Sequence, residues 1–170
     1  MFRYFYPDSI CESAYEIDYE QLYEQGYRGL IYDIDNTLVP HGAPATEQAI
    51  RLFARLRQIG FSTCLLSNNK EPRVAPFAVS TGSEYIYKAN KPGKKGYLAA
   101  MEKMQTTLQT TLFIGDQLFT DVWGAKRCGI RNILTRPIHP KEEIQIVLKR
   151  KLENIVLHEY FRKALDKGRE

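Results

Sequence analysis

Leu30-Ile31-Tyr32-Asp33-Ile34-Asp35-Asn36-Thr37-Leu38 is a short apolar run that ends in two carboxylates one residue apart, followed by a turn. Side chains alternate faces along a strand, so Asp33 and Asp35 point the same way if the strand continues through them. Two like charges at the end of a buried strand are costly unless a cation or a proton neutralises one of them. Alone, Asp-x-Asp-Asn after a strand is an ordinary surface turn. Its standing as a site depends on what the rest of the chain brings beside it.

Upstream, Asp18 reads as an N-cap with Gln21 three residues on, and Gly26 closes a short helix carrying Leu22. Downstream, Thr46 caps a helix in which Ala49, Ile50, Phe53, Leu56 and Ile59 recur at helical spacing, and Gly60 ends it. Arg28 to Asp33 is then the first strand and Phe61 to Leu66 the second, with Ser67-Asn68-Asn69 as its polar exit turn. Pro72 and Pro76 bracket the start of another helix, closed by Gly82, and Tyr85 to Tyr87 is a brief third strand. A helix with Leu98, Met101 and Met104 on its inner side follows the lysine-rich stretch 88–95. Thr111 to Ile114 is a fourth strand leaving through Gly115-Asp116-Gln117-Leu118-Phe119-Thr120-Asp121, and Asn132 to Thr135 a fifth after a helix with Val122, Ala125 and Cys128. Five strands alternating with helices imply right-handed crossovers and a mainly parallel five-stranded sheet covered on both faces, a three-layer α/β/α domain. Residues 1–27 read as an aromatic lead-in and short helix, about 28–136 as the core and 140–170 as a charged helical tail with Ile144, Val147, Leu148 and Leu152 on one stripe. The whole of 1–170 is expected to be a single domain.

The 170 residues suffice for one self-sufficient core. Cys11, Cys64 and Cys128 are odd in number and far apart, which argues against a disulfide framework or a zinc knuckle and fits a reducing, cytoplasmic setting. His41, His139 and His158 are equally scattered, with no zinc-type pair. No run approaches the ~18 apolar residues that a membrane span needs, so no transmembrane segment is expected. Residues 1–70 carry 6 Lys/Arg against 9 Asp/Glu, net −3, while 71–170 carry 18 against 11, net +7. That asymmetry suits an anionic partner or surface, or a solvated basic face.

Polar residues stand after successive strands: Asp33 and Asp35, Ser67, Lys91, then Asp116 and Asp121. In open parallel sheets ligands bind at the carboxyl ends of the strands, where these positions would converge on one crevice. Oxygen donors without Cys or His favour a hard cation such as Mg²⁺, and Ser67 with Lys91 would complete a phosphate cradle. Each has an ordinary structural alternative: Ser67 as a helix cap, Lys91 as one of several neighbouring lysines, Asp121 as an N-cap.

Asp33-Ile34-Asp35-Asn36-Thr37 resembles the Asp-x-Asp-x-Thr signature of the haloacid-dehalogenase-like (HAD) phosphatase superfamily. Ser67, Lys91-Pro92 and Gly115-Asp116 with Asp121 match its remaining motifs in order, from about Leu30 to Thr135. Asp-Asn-Thr-Leu and the aromatic lead-in are similar to the YqeG-type subfamily, whose relatives include phosphatidylglycerophosphate phosphatases. The resemblance implies a Rossmann-like HAD fold and an aspartyl-phosphate mechanism with Mg²⁺ as cofactor. Asp33 would be the nucleophile and Asp35 the acid and base. Asp33, Asp116 and the Asp35 main-chain carbonyl would hold the metal, and Asp121 would orient it from behind. Ser67, Asn68 and Lys91 would bind the phosphoryl group. Lys88 rivals Lys91, but only Lys91 precedes a proline as in the family pattern.

Only 34 positions separate Asp33 from Ser67 and 24 separate Ser67 from Lys91, too few for an inserted cap domain. An open site, a basic second half and an aromatic N-terminus favour a phosphate monoester on something large or surface-held, with phosphatidylglycerophosphate leading. Such a protein would be peripheral at the inner membrane face. The alternatives are a phosphatase of a nucleotide, sugar phosphate or phosphoprotein, and a non-enzymatic binding module for a GTPase or ribosomal partner. Nucleic acid is not expected as a partner, and oligomerisation stays open.

Overall fold

The computed structural model describes residues 2–139 and 144–167, with side chains at 2–139 and 149–165. Strands β1 (Ser9–Cys11), β2 (Gly29–Tyr32), β3 (Ser62–Leu66), β4 (Glu84–Ile86), β5 (Thr111–Gly115) and β6 (Arg131–Thr135) form one sheet in the order β1-β6-β5-β2-β3-β4. Every pairing is parallel, and β2 lies at the centre between β3 and β5. Helices α1 (Tyr19–Glu24), α2 (Glu47–Ile59), α3 (Glu71–Thr81), α4 (Lys94–Met104) and α5 (Trp123–Cys128) supply the crossovers, and α6 (Ile144–Lys167) follows the last strand.

The two layers of helices can be read from the alternation along the strands. Leu30, Tyr32, Leu65, Leu112 and Ile114 pack with Tyr19, Phe53, Leu56, Phe61 and Phe77 on one face. Ile31, Cys64, Leu66 and Phe113 pack with Tyr97, Ala100, Met101 and Met104 on the other. Period-two alternation on a sheet buried on both sides thus sends neighbouring residues into separate cores. The expected caps form as well. Asp18 accepts from the Gln21 N–H at 3.0 Å and Thr46 from the Ala49 N–H at 3.2 Å, while Gly60 ends α2 at φ 116°.

Four details differ from the sequence expectations. The sheet has six strands: Ser9–Cys11 in the lead-in pairs with β6, Ser9 opposite Ile133. A three-residue edge strand is too short to show a period. Leu98 is half exposed and Tyr97 takes its inner position; Ile50 likewise faces outward and Leu52 inward. Pro76 lies inside α3 and does not bracket its start, which Pro72 alone does. The aromatic lead-in, by contrast, packs on the domain as its composition predicts, with Phe2, Phe5 and Tyr6 against Leu118, Val122, Leu134 and Val156. Positions 140–143 and 168–170 of the expected tail lie outside the described residues, as do the side chains of Ile144, Val147 and Leu148. Among the described residues no helix is long and apolar enough to cross a membrane.

From Asp33 to Ser67 the chain comprises a loop, α2 and β3, and from Ser67 to Lys91 it comprises α3 and β4. No further domain is inserted in either interval. The carboxyl ends of β2, β3 and β5 are therefore left next to one another at one edge.

Candidate active site

Lys91 ties the edge together. Its ammonium donates to Asp33 Oδ1 at 2.6 Å and to Asp121 Oδ1 at 2.8 Å. All three residues are buried, so the two carboxylates replace the water the ammonium has lost. Desolvation alone would drive the Lys91 ammonium towards neutrality; Asp121 and Asp33 overcome it and hold the group charged, above its ordinary range. Burial pushes the Asp33 carboxyl the other way, up to about 6, with Lys91 opposing the rise and Asp121 and Asp35 adding to it. Carboxylate oxygens of Asp33, Asp116 and Asp121 all lie within 4.8 Å of one another. Of the three, Asp33 keeps the most exposure, 7% against 2% and 1%. It is the one an incoming group can reach.

Asp33 is delivered by β2, whose buried Gly29-Leu30-Ile31-Tyr32 run ends one residue before it. The chain then turns sharply: Asn36 has φ 62°, its N–H donates to the Val39 carbonyl at 2.7 Å, and Leu38 and Val39 turn back onto Ile34. The turn sends the Asp35 carboxylate elsewhere. Its Oδ1 accepts from Arg73 at 2.8 Å and from the Gly42 N–H at 2.8 Å, and its Oδ2 from Asn69 at 2.7 Å. Burial would raise this carboxyl, but Arg73, the Gly42 amide and His41 together hold it below its ordinary value. Asp35 is thus a charged group paired with a guanidinium, outside the trio of carboxylates.

The next polar turn positions Lys91. Asn68 Oδ1 accepts from the Lys91 N–H at 2.6 Å and Asn68 Nδ2 donates to the Lys91 carbonyl at 3.2 Å. Ser67 is buried, and its hydroxyl accepts from the Asn69 N–H at 3.1 Å within the turn; it does not cap the following helix, whose N-cap is Lys70. Lys88 is exposed, and Lys91 is the lysine that reaches the carboxylates. The Lys91–Pro92 peptide is cis.

Asp116 and Asp121 come from the exit of β5, where the chain enters a π-helical turn, Leu118–Val122. Asp121 Oδ2 accepts from the N–H groups of Asp116 and Gln117 at 3.2 and 3.1 Å. This contact requires glycine at 115, because a Cβ there would stand 2.5 Å from Asp121 Oδ2. Glycine at 124 answers a similar demand from Tyr97, whose hydroxyl donates to the Thr120 carbonyl at 2.7 Å. Asp116 Oδ1 accepts from the Thr37 hydroxyl at 3.2 Å, and Asp116 Oδ2 is paired with Arg150 of α6. Burial raises the Asp116 carboxyl well above its ordinary value, Asp33 adds to the rise, and Arg150 opposes it.

The expected site residues Asp33, Asp116, Asp121 and Lys91 therefore meet, Asp35 stands beside them on its own set of donors, and Ser67 and Asn68 line the adjacent turn. Arg73, Asn69, Arg150 and Glu153 belong to this network but were not singled out in the sequence. Arg73 stands in a helix with no motif, and Arg150 and Glu153 stand in a tail whose docking depends on tertiary contacts. The donor set is all oxygen and the trio carries three carboxylates against Lys91 and Arg150, which fits a hard divalent cation.

Residues 44–129 match the family model of haloacid dehalogenase-like hydrolases. Over 163 residues, 95% of each chain, the sequence is 35% identical to the probable phosphatase YqeG of Bacillus subtilis. It is 27% identical to phosphatidylglycerophosphate phosphatase 1, chloroplastic/mitochondrial, of Arabidopsis thaliana, over 88% of this chain and 46% of that protein. In fold it resembles a HAD family hydrolase of Streptomyces avermitilis at a TM-score of 0.51, with 15% identity over 65% of this chain and 72% of the other.

Proposed function

This chain belongs to the haloacid dehalogenase-like hydrolases and is a phosphatase of that family, and from that premise we propose that it is a Mg²⁺-dependent phosphatase of a lipid phosphate, phosphatidylglycerophosphate foremost. The observation that carries the mechanism is the meeting of Asp33, Asp116 and Asp121 at the ends of β2 and β5, with buried Lys91 bonded to Asp33 and Asp121. Asp33, the most exposed of the three, attacks phosphorus to give an aspartyl-phosphate as the ester oxygen leaves. Asp35 gives that oxygen a proton and then takes one from the water that releases phosphate. To do so it must leave Arg73, which favours its charged form. Asp33, Asp116 and the Asp35 main-chain carbonyl would hold Mg²⁺, which when bound screens the repulsion between an anionic nucleophile and an anionic phosphate. Lys91, 2.6 Å from Asp33, is within reach of a phosphoryl oxygen on that carboxylate; Ser67 would add its hydroxyl from the next turn, and Asn68 would serve by holding the Lys91 main chain. Asp121 holds Lys91 and the turn that carries Asp116.

Three features favour a lipid phosphate: the likeness to the Arabidopsis enzyme, the lack of an inserted domain, and a groove of about 470 Å³ beside Asp116. Ile10, Leu134, Leu157 and Phe161 line this groove, with Arg136 and His158 among them. On its outer face α6 exposes Leu152, Ile155 and Leu165 beside Lys151 and Arg162, a pattern suited to an anionic membrane surface. Release of phosphate from phosphatidylglycerophosphate in mixed micelles, measured with Mg²⁺ and with EDTA, tests the reading. Turnover should require Mg²⁺ and vanish in Asp33→Asn. Hydrolysis of nucleotides or sugar phosphates but not of the lipid would refute the substrate assignment.

A further inference from the structure

Four consecutive backbone N–H groups leave β5 at residues 116–119, and each needs an acceptor because the turn is largely buried. Asp121 takes the first two. Glu153 of α6 takes the other two: its Oε1 accepts from Leu118 at 2.8 Å and from Phe119 at 3.4 Å. The same helix reaches Asp116. Arg150 Nη1 donates to the Asp116 main-chain carbonyl at 2.5 Å and to Glu153 Oε2 at 3.0 Å, while Nη2 is paired with Asp116 Oδ2. Glu153 is 3% exposed and the Arg150 side chain 17%, so the pairs are shielded from water. Three and four residues apart lie on one helical face, and Arg150, Glu153 and buried Val156 form the stripe that meets the turn.

We infer that Arg150 and Glu153 are positioning residues of the phosphatase, fixing the Asp116 carboxylate for the cation through one continuous chain of charged hydrogen bonds. The inference rests on the reading of Asp116 as a Mg²⁺ ligand. The guanidinium grips both the carbonyl and the carboxylate of Asp116, which sets the rotation of the side chain as well as the place of the backbone. It takes Oδ2 and leaves Oδ1 facing Thr37. A contact built to exclude the cation would need no grip on the main-chain carbonyl and no second carboxylate holding the guanidinium in place. The expected consequence is a loss of cation affinity when the grip is removed, and the opposite sign is expected of a competing cation. Groups that orient metal ligands are typically worth 10–100-fold in metal affinity.

Mg²⁺ binding to the full chain is measured by titration calorimetry without substrate, at matched folded fraction by circular dichroism. Arg150→Met should weaken binding by about 10- to 100-fold. Arg150→Lys, which keeps the charge and loses the fork, should fall between it and the wild type. Glu153→Gln should weaken binding severalfold, and Ile155→Ser, on the outer face, should bind as the wild type does. Unchanged or tighter binding in Arg150→Met overturns the inference. If Arg150→Met does not fold, Arg150→Lys decides, and affinity equal to the wild type overturns it. A wild-type chain that binds no Mg²⁺ refutes the metal reading and this inference with it. Weakened binding in the variants together with no lipid turnover by the wild type refutes the substrate and leaves the positioning role standing.

Discussion

At the exit of β2, Asp35 is fixed by Gly42, Asn69 and Arg73, all from the loops and helix that complete the neighbouring crossover. At the exit of β5, half of the backbone donors and the Asp116 carboxylate are fixed by α6, which lies beyond the last strand. The sequence separations are much the same: 38 positions from Arg73 to Asp35 and 34 from Arg150 to Asp116. What differs is the origin of the support. The first loop is held by parts that the βαβ arrangement brings to the sheet edge in any case. The second depends on a helix outside the alternation. A catalytic edge can thus be half intrinsic to its fold and half contributed by an added element.

The largest expected effect separates chemistry from architecture at the β2 exit. Asp33→Asn should lower turnover by on the order of 10⁴-fold or more while leaving unfolding free energy in urea equal to or above the wild-type value. It removes one of three crowded carboxylates and leaves Lys91 paired with Asp121. A clear loss of stability would mean that Lys91 depends chiefly on Asp33.

Lys91→Met probes the link between the two exits. It leaves Asp33 and Asp121 as buried like charges, and should lower stability in EDTA by about 3–5 kcal/mol. Added Mg²⁺ should restore part of that loss, and a denaturation midpoint blind to Mg²⁺ would count against a shared cation site.

Gly115→Ala strikes the β5 exit alone. Its Cβ would meet Asp121 Oδ2 at 2.5 Å, so stability should fall by about 1–3 kcal/mol, with a marked loss of Mg²⁺ affinity in calorimetry. The smallest effect is expected at the Asp35 anchors. Arg73→Met should cost about 1 kcal/mol in urea unfolding, because the Gly42 amide and Asn69 remain. A loss as large as that of Lys91→Met would mean that Arg73 alone, and not the set of three donors, holds Asp35 in place.

The core of the sheet and its order of motifs were legible because they are local. Buried runs such as Leu30–Tyr32 and Leu112–Ile114, capping residues such as Asp18 and Thr46, and glycine stops each act within a few residues. Convergence of Asp33, Lys91 and Asp116 follows from parallel topology once the strands are recognised. Three things were not legible. β1 has three residues and depends on β6 for its partner. The direction of the Asp35 carboxylate is set by the tight turn at Asn36, and a simple continuation of the strand would point it beside Asp33. Arg150 and Glu153 are ordinary members of a charged helix until that helix is laid against the β5 exit, and no spacing within the tail reveals what it lies on.

The pairing of β1 with β6 has a consequence for the chain as it is made. Asp8 accepts from the Asn132 N–H at 3.0 Å across 124 positions, so the first strand has no partner until nearly the last has been synthesised. At 5–20 residues per second that is a wait of roughly 6–25 s, during which Phe2, Phe5, Tyr6 and a bare strand edge stay uncovered on the nascent polypeptide. Arg150 emerges later still. The acidic turn at the β5 exit therefore receives the support of Arg150 and Glu153 only once α6 has been made, well after the strands it serves.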